Sequence, residues 1–255
     1  MVGHVEWVEF ARVPELPTAG SIVHATEVWS EPAGGGAVVA RQIARLAGRC
    51  EFFTALGDDV LGHESAKQLS SLGVDVHAVH AGETRRAWTY VDRHGERTIT
   101  VLGDKLLPRG PLPLEGYDAV FFVSGDIAAL RSARAAPLLA ATLRERPTLV
   151  EGGVPLDLLV GSLNDAGERY DDSLEAKIVV LTDGAHGGTL NGERFPAADP
   201  PGEISDAYGA GDSFAAALLV GLARGDDLDA AVRLATRAGA AVITGQGPYT
   251  AQLTS

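Results

Sequence analysis

Along this chain, short apolar runs of strand length alternate with longer stretches in which apolar residues return every three or four positions. Residues 2–10 predict a first strand. Pro14, Pro17 and Gly20 bound a loop leading to residues 21–28, whose partial alternation suits a half-exposed strand. Gly34-Gly35-Gly36 opens a helical run through Ala37, Ile43 and Leu46 that ends near Gly48. Residues 51–56 form an apolar strand, Gly57-Asp58-Asp59 starts the next helix, and Leu69, Leu72 and Gly73 finish it. Strand followed by helix in this order predicts a parallel sheet with helical crossovers.

Residues 86–102 interrupt the rhythm. Residues 87–92 and 97–101 flank His94-Gly95 like the arms of a hairpin. With residues 8–12 and 21–28 they are expected to build a small sheet standing off the main one as a lid; the alternative is that these strands extend the edge of the main sheet. Beyond Pro108 and Pro111 the alternation returns, with a buried strand at 119–123 and an Ala/Leu helix at 127–143. Short strands follow at 148–150, 158–160 and 177–182. A hairpin return runs through Thr189-Leu190 and Asn191-Gly192, and a last Ala-rich helix covers 228–244. No internal repeat is present. The whole pattern, residues 1–255, reads as one α/β domain with lid strands from about 8–28 and 86–102.

Composition narrows the classes. The chain has 255 residues, 45% hydrophobic and 22% charged, enough to bury a core without staples. Its formal charge of −13 argues against a nucleic-acid or anionic-membrane partner, so an anionic ligand must be met by local devices such as helix ends, glycine turns or a divalent cation. Cys50, the only cysteine, cannot form an internal disulfide. With no basic leader and no apolar run of about 18 residues, the expectation is a soluble, cytoplasmic chain.

The richest chemistry lies late, in Asp206-Ala-Tyr-Gly-Ala-Gly-Asp212, which runs into an Ala/Leu helix closing on Arg224 and Gly225. Free N–H groups at a helix start, beside Gly209, Ala210 and Gly211, make a seat for an anion, and Asp212 stands where a phosphate would arrive. A carboxylate at such a seat suits phosphoryl transfer, in which one group accepts a hydroxyl proton while the backbone steadies the transferring charge. Taken alone, Gly-x-Gly-Asp reads first as a capped turn.

Three stretches in order, Gly34-Gly35 at a helix start, Leu56-Gly-Asp-Asp-Val-Leu-Gly62 and Asp206-x-x-Gly-Ala-Gly-Asp212, together with the run from Ala40 to Gly48, resemble the ribokinase-like, or PfkB, family of carbohydrate and nucleoside kinases. The resemblance runs from Gly3 to about Gly247. It implies a three-layer α/β/α sandwich with a mostly parallel central sheet and a small β lid, moving the γ-phosphoryl of ATP to a hydroxyl with Mg²⁺. Position by position, Asp212 takes the catalytic base and Gly209, Ala210 and Gly211 the anion hole. Thr182, Gly184 and Gly187 match the strand and turn around the ATP phosphates and ribose. The family's Asn-x-x-Glu stretch falls on Ser162, Asn164 and Asp165: Asp165 keeps a carboxylate for Mg²⁺, the amide is replaced by Ser162 or supplied by Asn164 from a shifted register, and the alternative for Asp165 is an N-cap. Asp206 matches a residue that helps hold a monovalent cation such as K⁺ in several relatives, although Ala207 replaces the usual Thr.

On the acceptor side, Gly34 and Gly35 match the glycines over which a sugar lies, and Asp126 matches a position near it. Gly36 stands at the ribokinase Lys position. The family's sugar-binding Asp and Asn fall on Val8 and Val39, while Glu6 offers a carboxylate on the same strand face as Val8. Two lost polar ligands move the expectation away from ribose itself, toward another sugar or sugar-like metabolite. A nucleoside kinase and a catalytically weak metabolite sensor are the alternatives, and a Rossmann dehydrogenase is disfavoured because no GxGxxG follows the first strand. Asp58 and Asp59 read as helix caps, Arg85-Arg86 as a solvated pair, Trp7, Trp29 and Trp88 as core or lid packing, and His77 with His80 as no metal site. A lid that pairs with its twin would give a homodimer and a short lid a monomer; a peripheral β-α unit between about 104 and 178 is expected to be trimmed.

Overall fold

The computed structural model describes residues 1–171 and 173–255. The chain enters the central sheet only at Val2, which bridges Phe53 and Phe122 in parallel, and then leaves it. The predicted first strand is therefore split. Its continuation, β1 (Glu6–Arg12), belongs to a second sheet with β2 (Glu27–Ala33). That strand lies later than residues 21–28, because antiparallel pairing to β1 sets its register at Arg12 opposite Glu27 and Glu6 opposite Ala33. Pro32 is tolerated because β2 is an edge strand.

Helix α1 (Gly35–Ala47) leads to β3 (Glu51–Leu56), α2 (Val60–Ser71) and β4 (Asp75–His80), which pairs in parallel with β3. Strands β5 (Arg86–Val91) and β6 (Arg97–Leu102) complete the second sheet, in order β2-β1-β5-β6. It is separate from the central sheet, so the reading as an edge extension gives way to the lid. The sheet is pinned to the segment before residue 208: Ala207 donates to Gly95 O in the hairpin turn at 2.8 Å, and Arg12 at the end of β1 donates to Ser205 O at 2.9 Å. Phe10 on β1 stacks on Trp29 and meets Tyr208 edge-on, at centroid distances of 4.8 and 5.1 Å.

Two expectations fail between 119 and 152. After β7 (Ala119–Phe122), helix α3 (Ile127–Ala133) stops early, and residues expected to continue it form β8 (Leu138–Thr142). Pro137 removes a helical donor, and a buried Ala/Leu strand looks like a buried helix by periodicity alone. Residues 148–150, expected as a strand, lie in α4 (Arg146–Gly152), which carries a proline in its first turn. Then come β9 (Leu156–Ser162), β10 (Ala176–Thr182), the hairpin β11 (Gly188–Leu190) and β12 (Glu193–Phe195), and helices α5 (Ala210–Ala223) and α6 (Leu228–Val242). The crossovers between 104 and 178 are brief: α3 and α4 have 7 residues each, and between β9 and β10 the described residues hold only a 3₁₀ turn at Ala166–Glu168.

Strands β10, β9, β8 and β7 are parallel neighbours, and Val2 joins them to β3 and β4. Alternation along the strands makes three layers. Phe52, Phe121, Ala140 and Leu158 face a core shared with α1, α5 and α6, while Phe53, Phe122, Ala141 and Leu159 face α3 and α4. Helix α5 is apolar all round, as a helix covered on every side must be. Asp157 is buried at the start of β9 and tied to Arg134 and Lys177, both at 2.7 Å, so its charge is compensated. Among the described residues no helix is long and apolar enough to cross a membrane.

Candidate active site

Ligands of open parallel sheets bind beyond the carboxyl ends of the strands. Here those ends carry Ser124 after β7, Arg144 and Glu145 after β8, Ser162 to Glu168 after β9, and Thr182 to Gly187 after β10. Two helix starts face the same edge. Gly34 begins α1 with φ +86°, and its N–H donates to Tyr208 Oη at 3.2 Å. Gly209 begins α5 with φ +83°, a left-handed turn natural to glycine; a Cβ there would also lie 3.0 Å from Val38 Cγ1.

The two starts converge on Asp212. A Cβ placed on Gly35 would lie 3.1 Å from Asp212 Oδ1 and 3.2 Å from Val123 Cγ1. Asp212 is half-buried in the first turn of α5, yet its carboxylate caps nothing and accepts no hydrogen bond among the described residues. The plain-cap alternative thus fails on geometry. Burial pushes the Asp212 pKa up; the positive charges of Arg97 and Arg144 pull it back, and Glu6 adds to the rise. The N–H groups of Gly211 and Asp212 have no acceptor among the described residues, and a Cβ on Gly211 would meet no atom within 4 Å. The helix start opens into free space with unspent donors, the requirement for an anion seat.

Beside Gly34 lies a buried polar group. Glu6 pairs with Arg85 Nη1 at 3.1 Å and lies 3.8 Å from His4 Nε2. His4 Nδ1 bonds Ser124 Oγ at 2.9 Å. Burial raises the Glu6 pKa against the pull of Arg85 and Lys105, and burial holds His4 well below its usual pKa, so His4 is neutral here. Val8 and Val39 are buried in the core, so neither polar sugar ligand of the family has a substitute at its own position.

On the nucleotide side, Asn164 Nδ2 would lie 3.7 Å from a Cβ on Gly184, which brings the ends of β9 and β10 together. Thr182 Oγ1 donates to Gly161 O at 3.2 Å, Asn164 N donates to Ser162 Oγ at 3.2 Å, and Gly187 turns the chain into β11 with φ +86°. Asp165 is spent: Oδ1 accepts from Gly167 N at 2.8 Å and Oδ2 from Arg144. Glu168, half-buried, keeps one oxygen clear of Arg144, which reaches Oε1 at 3.0 Å, and it feels the charge of Asp212.

Two other predicted ligands have structural work. Asp126 caps α3, its Oδ1 accepting from Ala129 N at 2.7 Å and from Gly110 N at 2.9 Å. Asp206 is fully buried, with Oδ1 accepting from Tyr208 N at 2.9 Å and Oδ2 from Gly247 N at 3.1 Å, so both oxygens fasten the turn before α5. Asp59 caps α2 as expected, accepting from Gly62 N at 2.8 Å.

Residue by residue reading missed Arg85 and Glu168. Arg85-Arg86 was expected as a solvated pair, but consecutive strand residues face opposite ways: Arg86 pairs with Glu9 at the surface and Arg85 turns inward. Glu168 follows Asp165 at the same spacing as the Asn-x-x-Glu stretch, three positions on, which was the available signal.

The profile of the pfkB family carbohydrate kinases matches residues 1–146 and 153–254. An ATP-dependent ribose-1-phosphate kinase from Halopiger xanaduensis is 27% identical over 277 residues, covering 98% of this chain and 93% of that protein. The bifunctional protein HldE of Bradyrhizobium diazoefficiens is 25% identical over 97% of this chain, which spans only 58% of it. Among solved structures, a nucleoside kinase from Methanocaldococcus jannaschii, an archaeal member of the ribokinase family, aligns with a TM-score of 0.78 at 18% identity, covering 99% of this chain and 93% of that one.

Proposed function

Because the chain belongs to the pfkB family of carbohydrate kinases, and is thus a phosphotransferase with a hydroxyl acceptor, we propose that it moves the γ-phosphoryl of ATP to a small sugar or sugar phosphate with Asp212 as the general base. The observation that carries this reading is the Asp212 carboxylate, free of hydrogen bonds among the described residues and facing Gly35 across the starts of α1 and α5. An acceptor lying over Gly34 and Gly35 presents its hydroxyl to Asp212, which takes the proton as the oxygen attacks in line. The unspent N–H groups of Gly211 and Asp212, with the helix dipole of α5, steady the charge on the transferred group. Arg97 adds positive charge on the same side, while Arg144 is held by Asp165 and Glu168.

Residues 162–168 and 182–187 border the nucleotide in this reading. Magnesium suits hard carboxylate oxygens and is commonly held by one or two of them with phosphates and water. Glu168 fits that role better than Asp165, because Asp165 has both oxygens engaged. Bound there, the ion would neutralise phosphate charge. Asp206 serves the turn, and no K⁺ role is assigned to it.

At the acceptor end, Glu6 held by Arg85 replaces the polar ligands absent at Val8 and Val39. Arg85 and Lys105 are spent on Glu6 and Glu145 at 3.1 and 2.6 Å, so the choice of acceptor rests on the likeness to a ribose-1-phosphate kinase, which makes a phosphorylated pentose the first to test. The test is transfer from labelled ATP to a panel of free sugars, sugar phosphates and nucleosides. A sugar or sugar phosphate is expected to lead the panel, and Arg85→Met to raise the KM for it about tenfold with a smaller change in kcat. Transfer to nucleosides alone, or tight binding with no transfer to any acceptor, would refute the reading.

A further inference from the structure

Arg41 and Arg45 stand one turn apart on α1, so their side chains leave the helix on one face. That face borders an open cavity of about 510 Å³, lined also by the end of α2 and by Tyr249 and Thr250. Neither guanidinium forms an ion pair among the described residues. Arg41 donates no hydrogen bond, and Arg45 reaches only the Tyr249 carbonyl, at 3.5 Å. The Nε of each is buried without an acceptor. This happens in a chain with 34 acidic and 21 basic side chains, where carboxylate partners are plentiful.

Two like charges side by side, with buried donors unspent, are costly unless something answers them. Among the described residues the one carboxylate lining the cavity, Glu31, has its Oε1 engaged by Trp29 Nε1 at 3.1 Å. Burial pushes the Glu31 pKa up to about 7, so it is a weak counterion at neutral pH. We propose that the cavity between α1, α2 and residues 249–250 is a second anion site, binding the oxyanion of a phosphate group between Arg41 and Arg45. Guanidinium forks match phosphate oxygens in pairs, which explains two arginines in place of lysines.

The site is distinct from the catalytic one. Along α1, Arg41 and Arg45 lie roughly 9 and 15 Å beyond Gly35. It touches the same C-terminal segment that secures the active-site turn: Tyr249 Oη donates to Pro32 O at 2.6 Å, and Gly247 N donates to Asp206.

Two measurements test the proposal. Crystals of the wild-type protein soaked in tungstate should show anomalous density between Arg41 and Arg45; density confined to the start of α5, or none, would overturn it. Calorimetric titration with inorganic phosphate should show binding in the wild type that weakens at least tenfold at this site in Arg41→Gln/Arg45→Gln, about 1.4 kcal/mol. Identical titrations for the two proteins would overturn the proposal. A ribose 5-phosphate arm, read as the same difference, separates sources: tighter binding than phosphate assigns the site to a phosphorylated metabolite, and equal binding to free phosphate, each supporting the oxyanion site.

Discussion

Asp212→Asn is expected to lower kcat by about 10³-fold while leaving ATP affinity within about threefold. The substitution keeps shape and removes only the capacity to take a proton. Because the carboxylate accepts no hydrogen bond among the described residues, no structural contact is lost with it. Burial raises its pKa, so the ionised form is disfavoured by the fold, and a neutral isostere relieves that cost. The melting temperature should therefore hold steady or rise, the usual signature of a group kept for chemistry at some expense in stability. A variant that lost activity through unfolding would show the opposite. Near-normal turnover in a folded variant would remove Asp212 from the mechanism.

Gly35→Ala is expected to cost about 10²-fold in kcat/KM with little loss of stability. Its backbone has an ordinary negative φ, so alanine is not strained there. The new methyl would nevertheless sit 3.1 Å from Asp212 Oδ1, in the space where the acceptor hydroxyl must lie, and 3.2 Å from Val123 Cγ1. The base would have to move by a few tenths of an ångström, or the acceptor would. Gly36 differs: a Cβ there would lie 2.4 Å from His4 O, a backbone clash. A side chain at this position, where the resemblance placed a Lys, therefore does not fit the present backbone. Comparing Gly35→Ala by stability and by kinetics separates crowding of the site from damage to the fold; a loss of stability without a specific kinetic defect would contradict the account.

What could be read from the chain beforehand divides along physical lines. The turn before α5 and its buried helix were legible because their information is local: a glycine turn, a carboxylate and an unbroken apolar helix lie within residues 206–223. Residues 127–143 were not, since Ala and Leu serve a buried strand as well as a helix and only Pro137 marks the break. The register of β2 depends on its partner β1, which no local pattern encodes. The acceptor end was harder still. Glu6 is visible as a carboxylate on the right strand face, but its meaning rests on Arg85, some 80 residues later, and on His4, a lone histidine that belongs to no motif. Asp126 and Asp206 show the reverse: carboxylates in matching positions whose oxygens the backbone consumes.

The central claim, that Asp212 in its ionised form takes the proton, is met most directly by the pH dependence of kcat/KM for the acceptor at saturating ATP and magnesium. A base whose pKa is raised by burial is lost as pH falls through that raised value, so the wild-type rate should decline tenfold per pH unit on an acidic limb set above the usual aspartate range. In Asp212→Asn the residual rate should be flat across the same limb. An acidic limb that persists unchanged in that variant would mean another group supplies the base, and the account of the site would fail.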